Sequence, residues 1–192
     1  MDTQSNAKVI GVKTSAVVEQ YTLVGTYYSL KDGQKSILMF NNKAPQPLVV
    51  NPIFFSMSGE RFDLPTLIIG ATSYQEFDLR ELLANAGQQF QEGSVQVKHQ
   101  GIKQQLGVQV KILKQAQGLI FDEQFVEPTK RFVSSRLESI WWLPSPQSKT
   151  KFIVSNTTDL PVTTTIKVDG TAPQQQQPTT IQLNPHQTRV LD

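Results

Sequence analysis

Hydrophobic and polar residues follow one another in short stretches along most of this chain, and Pro, Gly, Asn and Asp separate the stretches. Residues 94–98 and 107–113 alternate strictly between apolar and polar positions, as half-buried antiparallel strands do. Residues 36–40 instead form an apolar run that suits a fully buried strand. The pattern predicts an all-β fold of antiparallel strands joined by turns.

Two details of the pattern predict how strands are placed. The apolar stretch 47–55 contains Pro52, which lacks a backbone N–H, so we expect an edge position or a bulge there. Residues 99–101 lie between the two alternating stretches, and we expect them to form a hairpin connection. Residues 118–121 are expected to end the first structural unit.

Residues 78–86 form the one segment with clear helix signals. Asp78 is a good N-cap, and Glu81 stands three residues later, where its carboxylate also satisfies exposed amides. Ala86 and Gly87 close the segment, and Gly readily adopts the left-handed conformation that ends helices. The segment predicts a helix of about two turns.

A weak internal repeat relates two parts of the chain at a spacing of 114 residues. Apolar positions, an Asn–Pro turn and an aromatic pair keep their register without a gap between residues 26–78 and 140–192. Tandem units of this kind are usually structural arrays or display modules. The equivalent positions include Tyr27 and Trp141, Tyr28 and Trp142, Lys35 and Lys149, Asn42 and Asn156, Pro47 and Pro161, Thr66 and Thr180, and Asp78 and Asp192.

The repeat divides the chain into two expected β-sandwich units, at residues 1–130 and 131–192. The first unit includes the helix and an N-terminal strand at 8–12. The second is shorter, because Asp192 is the equivalent of the helix cap and the helix and last strands have no counterpart. We expect its open edge to be covered by the strand at 8–12 or by a neighbouring molecule, since exposed edges invite pairing.

Composition narrows the possible functions. The net charge is +2 and charged residues are 18% of the chain, so no strong basic surface points to nucleic acid or an anionic membrane. The chain has no cysteine, which excludes disulfides, thiolate catalysis and zinc–thiolate sites. No apolar stretch is long enough to span a membrane, and the polar start lacks a signal peptide. The protein is then either cytoplasmic, or extracellular or periplasmic with its signal removed.

The two Asn–Pro turns carry a resemblance to a family. An apolar strand runs into Asn42 and Pro47 in the first unit and into Asn156 and Pro161 in the second, and each unit then has a strand–turn–strand that reaches Asp78 or Asp192. This layout resembles uncharacterised bacterial envelope proteins of acidobacterial type with tandem immunoglobulin-like β-sandwich units. The resemblance implies a fold and a surface setting, and it implies no catalytic residues.

Few side chains suggest chemistry. His99 and His186 do not have the spacing of metal ligands, and the chain has no Gly-x-Ser-x-Gly elbow and no Gly-rich phosphate loop. Asp122, Glu123 and Glu127 form the densest acidic group. We interpret it as a solvated linker between the units, with a divalent-cation site that rigidifies the junction as the alternative. No cofactor and no metal are expected.

The aromatic pairs are the most suggestive residues. Adjacent side chains in a strand point to opposite faces, so one of Trp141 and Trp142 should enter the core and the other should face outward. An outward ring is suited to stacking on a sugar or to anchoring a protein contact. Because Tyr27 and Tyr28 stand at the same place in the first unit, a repeated packing role is the favoured interpretation.

These observations favour a non-enzymatic structural or protein-interaction module of a bacterial envelope or secreted protein. Its expected partners are another protein or a second copy that pairs through the sandwich edges, with no nucleic acid and no membrane span. The alternative is a carbohydrate-binding module that uses exposed aromatic side chains. An enzyme is the least favoured class.

Overall fold

The computed structural model describes residues 19–114, 118–128, 151–167 and 178–191. Thirteen β-strands and one α-helix are defined within these ranges. The strands are β1 (Gln20–Ser29), β2 (Gln34–Asn42), β3 (Leu48–Ser56), β4 (Arg61–Asp63), β5 (Leu67–Ile69), β6 (Ser73–Asp78), β7 (Glu92–Gln100), β8 (Leu106–Lys114), β9 (Gly118–Gln124), β10 (Phe152–Ser155), β11 (Val162–Ile166), β12 (Thr179–Leu183) and β13 (Thr188–Leu191). The α-helix, α1, spans Leu79–Asn85, and a short 3-10 turn spans Lys31–Gly33.

The nine strands from β1 to β9, together with α1, build a β-sandwich, which confirms the predicted all-β class. Sheet A has the strand order β1-β7-β3-β4, and β5 also pairs with β3. Sheet B has the order β6-β2-β8-β9. All recorded pairings in both sheets are antiparallel.

The core lies between the two sheets and is filled by aromatic and branched side chains. Tyr28 and Phe54 meet edge to face with ring centroids 5.3 Å apart, and Phe40 and Phe77 do the same at 5.7 Å. Such edge-to-face pairs are favoured by the aromatic quadrupole. The buried core side chains include Leu38, Phe40, Leu48, Val50, Ile69, Leu79, Leu83, Val95, Val97, Val108 and Val110.

One side of the sandwich is closed by the chain segment that follows β9. Val24 and Val126 exchange two backbone hydrogen bonds, of 2.8 and 3.1 Å, so the end of sheet B is joined to the edge of sheet A. Phe125 turns into the core there and is only 5% exposed. Gly25 is required opposite it, because a Cβ at this position would overlap the Phe125 ring.

The predicted helix is present. Asp78 caps α1 by accepting a 2.9 Å hydrogen bond from the Arg80 N–H, and Gly87 has a positive φ of 73° just beyond the C-terminal end. Partial burial acts to raise the pKa of Asp78, but the Lys35 ammonium and the Arg80 amide outweigh it and lower that pKa. The cap therefore stays ionised at neutral pH.

The expected hairpin at 99–101 is wrong. β7 lies in sheet A between β1 and β3, whereas β8 lies in sheet B between β2 and β9, so the connection crosses from one sheet to the other. Val97 and Val110 both point into the core from opposite sheets. Strict alternation identifies a strand with one buried face, and it carries no information about which strand lies beside it.

For Pro52 the expected edge position is wrong, since β3 is central in sheet A and its pairing with β7 is regular. On the other side of β3 the register shifts by one residue between Val50↔Leu67 and Ile53↔Asp63, so the irregularity expected near Pro52 lies in the strand opposite it. The Pro52 carbonyl accepts a 3.0 Å hydrogen bond from the Leu64 N–H, in the gap between the ends of β5 and β4. The backbone N and C=O of a strand residue point to the same side, so the missing N–H also faces this gap. The sheet therefore tolerates a proline in a central strand.

The strand pairings of β10–β13 reproduce pairings of the first sandwich at a spacing of 114 residues. Leu38 pairs with Phe77 in sheet B, and Phe152 pairs with Leu191. Likewise Leu48 pairs with Ile69 in sheet A, and Val162 pairs with Leu183. β10 with β13 thus corresponds to β2 with β6, and β11 with β12 corresponds to β3 with β5.

The Asn of each Asn–Pro turn holds this arrangement together in the same way. The Asn42 amide donates to the carbonyls of Gln46, Ile69 and Gly70 at 2.9, 3.2 and 2.7 Å. The Asn156 amide donates to the carbonyls of Leu160, Leu183 and Asn184 at 2.7, 3.5 and 2.9 Å, each acceptor again 114 residues further along. One side chain in each place thus donates to several backbone acceptors of the turn and of the neighbouring strand end.

Candidate interaction surface

The outward face of sheet A carries a buried aromatic side chain. Phe54 points into the core, so its neighbour Phe55 points to the opposite face of the strand. Phe55 is nevertheless only 1% exposed. A side chain on the outer face is buried only when something covers that face, and here residues 184–188 cover it.

The cover is a stacked ring. The imidazole of His186 lies parallel to the Phe55 ring, with centroids 4.0 Å apart and an interplanar angle of 14°. His186 sits at a turn with a positive φ of 56°, as its equivalent Thr72 does at 44°. Its Nε2 lies 2.7 Å from Oδ1 of Asp159, which orients the ring over Phe55.

Polar contacts near this stack also connect the two parts of the chain, which are the first sandwich (β1–β9) and the segments that contain β10–β13. The Thr188 N–H donates to the Met57 carbonyl at 3.2 Å, and Gln96 Nε2 donates to the Thr157 carbonyl at 3.3 Å. Ser155 Oγ donates to the Thr26 carbonyl at 2.6 Å. An apolar centre with a polar rim is the usual anatomy of a specific interface.

Gly59 lets the two parts approach closely. It has a positive φ of 91°, and a Cβ at this position would overlap the carbonyl oxygen of Pro185. Glycine is therefore needed here both for its backbone conformation and for the absence of a side chain.

A cleft of about 290 Å³ lies beside the stack. Arg61 on its wall is held by Asp63 through two hydrogen bonds of 2.9 and 2.7 Å. The hydrogen bond with Asp63 is the main reason that the pKa of Arg61 is raised. The lining residues are Thr22, Val24, Phe55, Arg61, Gln96, Lys98, Pro128, Thr157, Asp159 and His186.

The predicted aromatic pair of the first unit is split between two environments. Tyr28 is fully buried in the core, and burial raises the pKa of its phenol. Tyr27 is half-buried on the other side, where its hydroxyl donates to Oε1 of Glu92 at 2.7 Å. Burial, followed by the Glu92 hydrogen bond, raises the pKa of Tyr27 to about 12. Of the two, only Tyr27 retains surface to offer a partner.

Several predicted residues lie outside the described ranges. These are Trp141 and Trp142, the strand expected at 8–12 and the terminal Asp192. Their proposed roles stay predictions.

The acidic group at the end of the first sandwich is dispersed among separate partners. Glu123 accepts hydrogen bonds from the Thr26 N–H at 2.9 and 3.0 Å and from the Thr26 hydroxyl at 2.7 Å. Asp122 accepts from the Gln109 amide, and Glu127 pairs with Lys103 at 3.1 Å. Asp122 and Glu123 are strand residues of β9, so the solvated-linker interpretation does not hold for them.

The histidines are also apart from each other. His99 lies in β7, is 2% exposed, and stacks on Tyr21 with ring centroids 5.5 Å apart. Burial lowers the pKa of His99. Within the described ranges, no group of three or more His, Cys, Asp or Glu side chains is placed to hold a metal ion.

The Phe55–His186 interface was not predicted from the sequence. A usable signal was present, because residues 53–55 are apolar on both faces of a strand that should have one solvated face. Such a run indicates a strand covered on both sides.

Comparison with known proteins yields no match: no protein-family model, no curated protein and no solved structure matches this chain. In the part of the chain that the structure describes, no helix has the length and apolarity needed to cross a membrane.

Proposed function

We propose that this chain is a non-enzymatic structural or protein-interaction module, composed of two related β-sandwich units, of a bacterial cell-envelope or secreted protein. The observation that carries the proposal is the docking of residues 155–159 and 184–188 on the outer face of sheet A. Phe55 is buried there outside the main core. A large apolar side chain that is buried between two parts of a chain is typical of a protein that holds its modules in a fixed relative position.

The unit boundaries of this proposal are residues 1–130 and 131–192. The matched strand registers and the matched Asn42 and Asn156 hydrogen bonds support two copies of one design. Identical backbone pairings at one constant spacing, despite few identical side chains, are what a diverged tandem repeat produces.

An immunoglobulin-like topology is proposed for the complete unit. The central pairings β2 with β6 and β3 with β7 correspond to the B–E and C–F pairs of that fold. The outer strands differ, because β1 lies beside β7 and β8 lies beside β2. In the standard order, the strand beside F comes late in the chain and the strand beside B comes early, so these two positions are exchanged.

Removing the stacked ring tests the structural proposal. We expect Phe55→Ala to uncouple residues 151–167 and 178–191 from the first sandwich, so that thermal unfolding changes from one transition to two. His186→Ala should act in the same direction with a smaller effect. Val49→Ala is the matched control, since Val49 points outward from the same strand and is 45% exposed. An unchanged single transition in Phe55→Ala contradicts the proposal.

The alternative, a carbohydrate-binding module, is supported by the part-exposed ring of Tyr27 in the first unit. Its candidate residues are Tyr27, Trp141 and Trp142. A glycan array with the wild-type chain and with Trp141→Ala and Trp142→Ala tests it. The absence of any glycan signal from the wild type eliminates this alternative.

A further inference from the structure

Among the described residues, β11 pairs along one of its two edges. Its residues pair with β12 from Val162↔Leu183 to Ile166↔Thr179. In the described ranges no strand pairs with its other edge. The equivalent strand β3 pairs there with β7, so this position in the fold accepts a strand.

The backbone groups that face the free edge follow from β3. The Pro52 carbonyl points away from β7, toward Leu64, so the intervening residues of β3, such as Val49 and Asn51, direct their N–H and C=O groups toward β7. Their equivalents in β11 are Thr163 and Thr165. These two threonines therefore present N–H and C=O groups that no described strand pairs at the free edge.

The residues of β11 read almost the same in both directions, as Val162-Thr163-Thr164-Thr165-Ile166. Val162, Thr164 and Ile166 share one face, and Thr163 and Thr165 share the other. The strand carries no charge and no proline, which are the usual devices that block edge pairing. Val162 is 39% exposed, whereas its equivalent Leu48 is 3% exposed.

We propose that β11 pairs antiparallel with β11 of a second copy of this chain, about a two-fold axis at Thr164. In this register Val162 of each copy lies opposite Ile166 of the other, and each Thr163 lies opposite a Thr165. Apolar side chains then meet on one face and threonines meet on the other, which are both favourable cross-strand pairs. The result is one four-stranded sheet with an isologous interface.

The backbone hydrogen bonds match this register. Thr163 of one copy and Thr165 of the other exchange both of their N–H···O=C bonds, and the two-fold axis repeats the exchange. The two copies of Thr164 then form a non-hydrogen-bonded pair with Cα atoms about 4.5 Å apart. The inference names a second copy of this chain as the partner of the proposed interaction module, and it rests on that proposed function.

Single cysteines test the register, because the natural chain has none. We expect Thr164→Cys to give a disulfide-linked dimer on mild oxidation, since a distance of about 4.5 Å suits a disulfide. Thr163→Cys is the matched control on the adjacent residue. Its two copies are separated by a diagonal of roughly 7–8 Å or more, which disfavours a disulfide. Equal crosslinking of the two variants overturns the proposal.

A proline variant tests the pairing itself. Thr163→Pro removes an N–H that faces the free edge and leaves the hydrogen bonds between β11 and β12 intact. We expect sedimentation at high micromolar concentration to show a dimer for the wild type and a monomer for Thr163→Pro. Circular dichroism should show the same strand content for both. A monomeric wild type, or a Thr163→Pro variant that is still dimeric, overturns the inference. The Phe55→Ala unfolding result is independent of either outcome, so the failure of this inference and that of the proposed function are distinguishable.

Discussion

At the scale of single residues, two buried asparagine side chains each form several hydrogen bonds with backbone groups. Asn42 is 1% exposed and Asn156 is 4% exposed, and each amide donates to three carbonyl oxygens. Each Oδ1 also accepts a backbone N–H two residues further on, from Ala44 and Thr158. Alanine would leave these buried groups without partners.

We therefore expect Asn42→Ala to lower the free energy of unfolding by about 3 kcal/mol, since an unsatisfied buried polar group costs about 1–3 kcal/mol. Urea denaturation followed by far-ultraviolet circular dichroism measures the change. Asn41→Ala is the matched control, because Asn41 is exposed on the same strand, and surface substitutions stay within about 0.5 kcal/mol. Equal effects of the two substitutions would contradict the hydrogen-bond argument.

His99 makes stability depend on pH. Its pKa in the folded state is lowered by burial, while the unfolded value is about 6.5. The unfolded chain therefore binds the proton more readily, and this contribution to stability is present above about pH 6.5 and is lost as pH falls toward the folded pKa. We expect the free energy of unfolding to decrease between about pH 7 and pH 5.

His99→Phe keeps an aromatic ring against Tyr21, which stacks on His99 in the native protein. The variant should show a flatter pH dependence of the unfolding free energy than the wild type over this range. A His99→Phe profile parallel to that of the wild type would show that His99 does not cause the dependence.

At the scale of elements, the bulge in β1 is stabilised by an acid from another sheet. The register between β1 and β7 shifts between Gly25 and Tyr28, which leaves the N–H groups of Thr26 and Tyr27 outside the ladder. The carboxylate of Glu123 accepts from both, at 2.9 and 3.3 Å. An acidic residue at the end of β9 thus joins sheet B to the irregular part of sheet A.

We expect Glu123→Ala to lower the free energy of unfolding by about 1–3 kcal/mol, because it leaves these N–H groups without acceptors. Glu123→Gln retains one acceptor oxygen and should cost less. Hydrogen exchange at Thr26 and Tyr27 gives a local measure, and both amides should exchange faster in Glu123→Ala. Asp122→Ala, which changes the neighbouring acid on the same strand, should leave their exchange rates unchanged.

The elements that the sequence predicts well are those with local causes. The helix at Leu79–Asn85 follows from Asp78, Glu81 and Gly87, which all act within a few residues. The strands follow from alternation, which also acts locally. The pairing partner of each strand does not follow from local sequence. For this reason β7 and β8 were expected to form a hairpin, although they lie in different sheets.

The interaction surface was harder to predict for the same reason. His186 and Phe55 are far apart in the chain, and neither residue type is unusual at its position. Only the apolar run at 53–55 indicated that the outer face of sheet A is covered. The Asn–Pro turns were noticed as a pattern, but their hydrogen bonds to distant carbonyls depend on strand packing that spacing alone does not determine.

At the scale of the whole molecule, residues 151–167 and 178–191 are joined to the first sandwich through a closely fitted contact. Its tightest point is Gly59 against the Pro185 carbonyl, where any side chain would force the parts apart. Gly33 offers a matched comparison, because it also has a positive φ, of 74°, and a Cβ there would meet nothing within 4 Å. Comparing alanine variants of the two glycines therefore distinguishes the effect of backbone strain from the effect of losing the contact.

Gly33→Ala should cost about 1 kcal/mol from backbone strain alone. Gly59→Ala should add the loss of the contact with residues 184–188, and the readout is the Thr188 amide, which donates to the Met57 carbonyl at 3.2 Å. We expect its hydrogen exchange to accelerate at least tenfold in Gly59→Ala and to stay at the wild-type rate in Gly33→Ala, since tenfold corresponds to about 1.4 kcal/mol. Protection of Thr188 that survives Gly59→Ala would mean that the Phe55–His186 stack holds the two parts together without this close approach. Faster exchange of the Thr188 amide in Gly59→Ala alone would instead show that docking of residues 184–188 requires glycine at position 59. The structural proposal depends on this docking.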